Sequence, residues 1–349
     1  MRVSNKVLVR SLIHDLNFTG RNILLTGASG VIGQQWIEIF NFAEDLGFIP
    51  DRIVASSMTG SFSYDLRLPK SLEVLAGDIA SSNLLENYAD FDLIIHGAGY
   101  GQPGRFLSDP ESTIRINTSV VHSLLRKLAP GGMFVFLSTS EIYLGSGSNL
   151  PSEHHSGGSL TSDLRATYIE SKRLGEAMLY SESRRNHVDF RIFRVGLAYG
   201  PGFRENDQRV LSEFFRKAIS DGVINLLDDG SATRRYVFSE DAVILMALAM
   251  SRGEAEVYNI GGIEEISILN LAKLIAEVYQ VPVKPEVNRV REERIKDAPK
   301  NVAMDIEKIL KLLDSDKFEF TSLSEGVKSI AKWISKVNLY SQIHGRDQK

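Results

Sequence analysis

The chain has no cysteine. Disulfide staples, thiolate nucleophiles and cysteine-ligated metal sites are excluded, and the fold must be held by its core. A surplus of charge is missing as well. Lys and Arg number 40 against 44 Asp and Glu, a formal charge of −4, so the basic excess that would neutralise a phosphate backbone is absent and nucleic acid is not an expected partner. Long hydrophobic runs are also lacking. The longest, AVILMALAM at residues 242–250, is far shorter than the ~20 residues of a membrane span, so it reads as a core helix and no membrane association is expected. The 7 histidines are scattered, and His154 and His155 lie in a polar loop without H-x-x-x-H spacing, so no metal is assigned. At the N-terminus, Arg10, His14 and Asp15 interrupt the apolar residues before a signal-peptide core can form. Residues 1–20 therefore read as a short extension leading into the first strand, and a cytoplasmic location is the expectation.

The rest is ordinary globular composition, 43% hydrophobic and 24% charged over 349 residues, enough to bury a large core. NILLT at 22–26 is a short apolar run ending in a glycine turn, and residues 31–42 after it carry helical spacing. Further strand candidates follow at 52–55 (RIVA), 73–76 (EVLA), 92–95 (DLII), 133–137 (MFVFL) and 189–195 (DFRIFRV). Such alternation predicts an α/β fold: a Rossmann-like, doubly wound parallel sheet with helices on both faces, over residues 21–195. Beyond it, helical segments at 210–219, 241–251, 268–279, 306–313 and 322–334, with short strands such as 257–260, predict a smaller, mostly helical substrate lobe over 196–349. Some of its segments can return to the sheet edge. The Gly/Ser-rich stretch 145–162 reads as a surface loop or flap.

At the first strand-to-helix turn stands TGASGVIG, with Gly27, Gly30 and Gly33 spaced G-x-x-G-x-x-G. Small residues there let the backbone approach a pyrophosphate at the helix N-terminus, which makes Gly27, Ser29, Gly30, Val31, Ile32 and Gly33 candidate dinucleotide contacts. The second strand ends in Val54, Ala55, Ser56 and Ser57, with no carboxylate for a ribose diol and no basic residue before Arg67 for a 2′-phosphate. Ser56 and Ser57 offer only hydroxyls; NAD is the expected cofactor, with NADP left open. AGDIA puts Asp78 and Ile79 just past the third strand, where Asp78 can meet an adenine amine or cap a helix. HGAGYG then closes the fourth strand with Gly97, Ala98 and Gly99, while His96 reads equally well as a satisfied core histidine.

RATYIESKRLGEAM, residues 165–178, sets Tyr168 and Lys172 four apart on one helical face. A free phenol titrates near ~10, and making it a base near neutrality requires roughly 4 kcal/mol. One positive charge ~4 Å away, at an effective dielectric of about 20, supplies about that much. In a chain with 11 tyrosines the Y-x-x-x-K spacing arises by chance about once, so its weight comes from the order of motifs. Glycine turn, Asp78, small-residue strand end, Asn117 in a helix, and Ser138 and Thr139 at a strand end all precede the pair.

In this order the chain resembles the extended short-chain dehydrogenase/reductases that act on nucleotide sugars, from about residue 22 to residue 334. STSEIY (138–143), RATYIESKRLGE (165–176), YGPGFRENDQRV (199–210) and GSATRRYVFSEDAV (230–243) are similar to the UDP-glucuronate decarboxylase branch, beside the dTDP-glucose 4,6-dehydratases. PGRFLSDPESTIRINT (103–118) matches that branch in spacing. The resemblance implies a nicotinamide cofactor held by the residues above together with Asn117, Ser138, Tyr168, Lys172 and Val195. It implies a nucleotide-diphosphate sugar contacted by Arg105, Thr139, Arg209 and Arg234, arginine being suited to bidentate phosphate recognition. A homodimer built on helices at 110–129 and 164–183 is implied too.

By the same resemblance Tyr168 takes the proton of a sugar C4 hydroxyl while the C4 hydride passes to the nicotinamide. Thr139 hydrogen-bonds the same oxygen and Lys172 holds the nicotinamide ribose. In the resulting 4-keto sugar a C5 carboxylate can leave as carbon dioxide, or a C5 proton becomes acidic enough for a carboxylate base. Glu141, two residues past Thr139 and on the same side of an extended segment, is the catalytic candidate there. The dehydratases place an aspartate where this chain has Ser140, and a 4-epimerase has no use for Glu141, so the combination leans toward decarboxylation. The chain departs from the branch at Phe106, which lacks a hydroxyl, at Leu197 and Ala198 in place of an asparagine before YGP, and at Ala55. A 4-ketoreductase consuming external NADPH, or a non-catalytic dinucleotide-binding sensor, are the other functions such a fold can carry.

Overall fold

Leu8, Val9, Leu12, Ile13 and Leu16 recur at helical spacing, and all are buried on helix α1 (Lys6–Leu16), so residues 1–20 contain a packed helix. A computed structural model describes residues 4–62, 66–81, 83–284 and 301–337 of the chain. After α1 come β1 (Asn22–Thr26), α2 (Val31–Asp45), β2 (Arg52–Ser57), β3 (Leu72–Ala76), β4 (Phe91–His96), α3 (Pro103–Ser108), α4 (Pro110–Asn117), α5 (Ser119–Leu125), β5 (Leu128–Thr139), α6 (Ala166–Asn186) and β6 (Asp189–Val195). The second part runs β7 (Leu197–Tyr199), α7 (Val210–Ser220), β8 (Ile224–Asn225), β9 (Thr233–Phe238), α8 (Ser239–Arg252), β10 (Val257–Ile260), β11 (Glu265–Ser267), α9 (Ile268–Tyr279), β12 (Val283–Lys284) and β13 (Asn301–Val302), then helices Glu307–Leu310 and Leu323–Val337.

Seven parallel strands form one sheet in the order β10-β6-β5-β4-β1-β2-β3. The order reverses between β1 and β4, and in open α/β sheets the crevice at that switch point, past the carboxyl ends of the strands, is where ligands bind. β10 comes from the second half of the chain and pairs with β6, Val257 opposite Ile192 and Ile260 opposite Val195. One face of the sheet is covered by α1, α2 and α8. Residues 242–250 of α8 are buried all round, which is why that run carries no polar residue. Phe134, Phe136 and Phe190 fill the other face, beneath α5 and α6, and Leu179 of α6 packs with them.

The smaller lobe has its own core around Phe214, Phe215, Ile275, Ile330 and Trp333. Its sheet is mixed: β9 lies between antiparallel β11 and parallel β13, and β7 also pairs with β9. Two differences from the sequence expectation bear on the site. The helix expected across 110–129 is broken at Thr118 (φ −127°, ψ −76°), whose hydroxyl donates back to Ile114 O at 2.8 Å, and Leu128 and Ala129 already belong to β5. This break separates α4 from α5. Secondly, β5 ends at Thr139 and residues Ser140–Tyr143 form a 3-10 turn, so Thr139 and Glu141 do not share a side of an extended segment.

Candidate active site

The glycine turn joins β1 to α2 in a geometry that excludes side chains. Gly27 has φ 71°, and a Cβ on it would stand 2.5 Å from Gly97 C. A Cβ on Gly33 would stand 2.4 Å from Gly27 O. One glycine thus lets β1 turn against the end of β4, and the other lets α2 sit down on the turn. The first helical bond is Gln34 N–H to Gly30 O at 2.9 Å, which leaves the Val31, Ile32 and Gly33 amides without carbonyls of their own helix. Unpaired amides at the positive end of a helix suit a pyrophosphate. The Ala28 amide donates to Ser56 O at 3.1 Å and ties the turn to β2.

Beside it, His96 is a structural group. Its Nε2–H donates to Ile116 O at 3.0 Å, its Nδ1 accepts from the Thr26 hydroxyl at 2.8 Å, and Thr26 Oγ1 accepts in turn from the Ala98 amide at 3.1 Å. Burial, then the Lys172 charge, push the imidazole down to about 3, so it is neutral and its tautomer is set by this chain of bonds. The chain holds Ala98, and with it Gly97 and Gly99, against β1. A Cβ on Gly99 would meet Lys172 Nζ at 3.7 Å and Asn117 Oδ1 at 3.9 Å, so these three residues converge. Asn117 donates to Ser171 Oγ at 3.0 Å, while its Oδ1 is buried without a partner. An orphaned acceptor beside a buried ammonium and a glycine backbone is what a ribose hydroxyl would satisfy. Together with the glycine turn, it fits a dinucleotide.

Tyr168 and Lys172 share a face of α6, both buried, but they attend to different neighbours. Lys172 Nζ donates to Leu137 O at 2.6 Å and lies 4.7 Å from the Phe136 ring centroid. Burial lowers its pKa to about 7, against a smaller raising effect of Glu176. The phenol of Tyr168 is held well above its ordinary value, first by burial and then by the negative charge of Glu141. Opposing these are a hydrogen bond with the Thr139 hydroxyl and the charge of Arg165. Thr139 Oγ1 accepts the Glu141 amide at 3.2 Å, which leaves its own proton to point at the phenol. Glu141 therefore reaches the site through the 3-10 turn that Thr139 caps.

Arg165, which sequence reasoning passed over, and Phe106, noted there only for its missing hydroxyl, complete this corner. Arg165 Nη1 pairs with Glu141 Oε1 at 2.7 Å, and its guanidinium lies over the Phe106 ring at 5.8 Å. Phe106 stacks in turn on Tyr168. Arg165 stands three residues before Tyr168, one helical turn away, which is the signal that could have found it. The other oxygen of Glu141, Oε2, is buried and unpartnered.

The remaining candidates divide. Ser138 Oγ donates to Glu176 Oε1 at 2.5 Å, and Glu176 is paired with Arg194 at 2.8 Å, so the Ser138 hydroxyl is tied into a buried network. Val195 ends β6 half-buried, next to the Gly196 amide that bonds Ile260 O at 2.8 Å. Asp78 accepts from the Ala80 amide at 2.9 Å and from Arg115 at 3.3 Å, and Ile79 packs with the core under β3. Arg209 is engaged by the buried carboxylate of Asp207 at 2.6 Å and by Ala198 O at 3.2 Å. Arg234, on β9, has its pKa lowered mainly by burial and also by the charge of Arg165, which places these two cations in one electrostatic neighbourhood. Arg105 is exposed on α3, with its guanidinium 6.0 Å from the Tyr100 ring centroid. Among the described residues, no helix is long and apolar enough to cross a membrane, and no three of His, Asp or Glu gather as a metal site.

Comparison with known proteins agrees with this geometry. The model of the NAD dependent epimerase/dehydratase family matches residues 23–261. UDP-glucuronic acid decarboxylase 2 of Arabidopsis thaliana is 26% identical over 295 residues, 84% of this chain and 64% of that protein. UDP-glucuronic acid decarboxylase 1 of Xenopus tropicalis is 28% identical over 250 residues, 71% of this chain and 58% of that protein. The chain thus spans less than two thirds of the length of either relative. Among solved structures, an epimerase of Methanothermobacter thermautotrophicus has a TM-score of 0.78 at 20% identity, covering 98% of both chains. DesIV, the dTDP-glucose 4,6-dehydratase of Streptomyces venezuelae, solved with NAD bound, has a TM-score of 0.73 at 22% identity, covering 90% of this chain and 97% of its own.

Proposed function

The chain belongs to the NAD-dependent epimerase/dehydratase family, and from that premise we propose that it oxidises a nucleotide-diphosphate sugar at C4 and then releases the C5 carboxylate of a uronic acid as carbon dioxide. NAD, when bound, supplies the acceptor for the C4 hydride and returns that hydride to the sugar at the end of the cycle. Tyr168 accepts the C4 hydroxyl proton and Thr139 donates to the oxygen that changes charge. Burial and Glu141 hold the phenol protonated, so compensating positive charge is needed: Arg165 supplies part of it, and Lys172 in its protonated form, one helical turn along, is a further source. Once C4 is a ketone, the bond to a C5 carboxylate breaks, carbon dioxide leaves and the electron pair spreads into the carbonyl as an enolate; C5 then takes up a proton relayed from solvent by Glu141.

The observation that carries this reading is Glu141 itself: one oxygen tethered by Arg165, the other buried, unpartnered and close enough to act on Tyr168. Ser140 beside it gives no acid for expelling a C6 hydroxyl. Purified protein incubated with UDP-glucuronate should release carbon dioxide and a UDP-pentose, read by mass spectrometry. No such products, with turnover of UDP-glucose or dTDP-glucose instead, would leave epimerisation or dehydration in its place.

A second reading, a 4-ketoreductase that consumes external NADPH, is favoured by one observation: β2 ends in Ala55, Ser56 and Ser57 with no carboxylate to repel a 2′-phosphate. Stoichiometric NADPH consumption with a 4-keto sugar would select it. The unit expected in solution is a homodimer, since α4 and α6 pack together and leave Ile114 and Leu174 exposed, and sedimentation tests it.

A further inference from the structure

The glycine turn is approached from the other lobe by a segment that the chemistry above leaves unused. Past β7 the chain crosses in front of α2. Gly202 has φ 98°, and a Cβ there would stand 2.6 Å from Gln34 Nε2. Gln34, fully buried on α2, donates to Ser29 O at 3.0 Å and to Gly202 O at 3.1 Å, which clips the crossing segment to the turn. Two residues on, Arg204 is half-buried and its Nη2 donates to Ser29 Oγ at 3.3 Å. The second cation comes from α3. A Cβ on Gly104 would stand 2.7 Å from Gln208 Oε1, so α3 also touches this segment. The next residue is Arg105, whose charge adds to burial in lowering the pKa of Arg204. Among the described residues, neither guanidinium is paired with a carboxylate.

Two like charges held within mutual influence, one of them half-buried, cost free energy unless an anion offsets them. A single acid residue would serve if the purpose were structural, as Asp207 serves Arg209, and none is supplied. We propose that Arg204 and Arg105 form a cation pair that grips the pyrophosphate of the dinucleotide from the lobe side, opposite the amides of the glycine turn. The chemistry recognised is a diphosphate. Of the two the enzyme handles, the position of Arg204 on Ser29 assigns it to the cofactor, and Arg105, which the family resemblance gives to the sugar nucleotide, goes with it. The consequence is retention: a cofactor that must give back its hydride is held by both lobes while the sugar is altered.

The inference rests on the cofactor assignment, and its test separates the two. ADP-ribose, adenosine and UDP are titrated by calorimetry into the wild-type chain and into Arg204→Gln and Arg105→Gln. ADP-ribose affinity should fall tenfold or more in Arg204→Gln and severalfold in Arg105→Gln, with adenosine and UDP unchanged and the dependence of ADP-ribose binding on salt reduced. Arg105 is exposed, so its variant keeps the test open if Arg204→Gln fails to fold. Wild-type ADP-ribose affinity in both variants, or a loss confined to UDP, would overturn the cation pair while leaving the cofactor in place. A wild-type chain that does not bind ADP-ribose would overturn both.

Discussion

Phe106 lies flat on Tyr168, the ring centroids 4.4 Å apart and the planes 2° from parallel. The stack is what takes the phenol out of water: Phe106 is 2% exposed and Tyr168 6%. Removing the ring should act on stability and acidity together. Phe106→Ala is expected to cost about 3–5 kcal/mol in denaturant unfolding, the usual range for a buried phenylalanine. The cause that leads in raising the Tyr168 pKa is burial, so the same variant should lower it, and the acid limb of the pH profile for C4 oxidation should move to lower pH. An unchanged limb with a large stability loss would reduce Phe106 to packing.

Glu141 acts on the same phenol through its charge. Because that charge raises the Tyr168 pKa and Arg165 lowers it, Glu141→Gln should shift the acid limb downward and Arg165→Gln upward. Sugar oxidation should survive in Glu141→Gln, whereas full turnover should drop by about 10² or more, as for loss of a general acid or base. A 4-keto product would then accumulate and be trapped by borohydride. Normal turnover with no ketone would remove Glu141 from the reaction.

The parts of this corner differ in how far they can be read from the chain. Glycines at 27, 30 and 33 after an apolar run, and the unbroken apolar string 242–250 that makes up most of the 14-residue helix α8, carry their structure in local pattern, and the structure places them as that pattern predicts. Glu141 does not. An alternation argument puts it on Thr139's side of a strand, yet the strand stops and a capped 3-10 turn delivers the carboxylate by another route. The stack of Phe106 on Tyr168 and the reach of Arg204 to Ser29 join residues far apart in sequence, and no spacing announces them. The stripe on α1 is the opposite case, a helical period present in the sequence whose partner, α8, lies more than two hundred residues away.

His96 sets a pH dependence of folding. Its folded pKa is about 3, below the ordinary histidine value, so between those limits the unfolded chain binds a proton that the folded chain refuses. Stability from this group is complete above about 6.5 and is lost as the pH falls toward 3, a change on the order of 4–5 kcal/mol over the whole interval. Carboxylates titrate in the same range, so the informative quantity is a difference. The gap in urea midpoint between pH 7 and pH 5 should be smaller in His96→Asn than in the wild type. Equal gaps would mean that the imidazole takes up its proton in the folded state.

Positive φ and lack of space can be told apart with two glycines. Gly20 (φ 72°) and Gly27 (φ 71°) share nearly the same positive φ, but a Cβ on Gly20 meets nothing within 4 Å, whereas one on Gly27 falls 2.5 Å from Gly97 C. Gly20→Ala should therefore show the conformational cost alone, about 1 kcal/mol, with cofactor affinity unchanged. Gly27→Ala carries the same cost and must also push β4 away from the turn, displacing Gly97, Ala98 and the Thr26–His96 chain behind them. Its NAD affinity should fall more than tenfold, and calorimetry on the two variants side by side decides the matter. If both lose affinity equally, the effect is global destabilisation; if only Gly27→Ala does, the close approach of β1 and β4 is what shapes the cradle for the pyrophosphate.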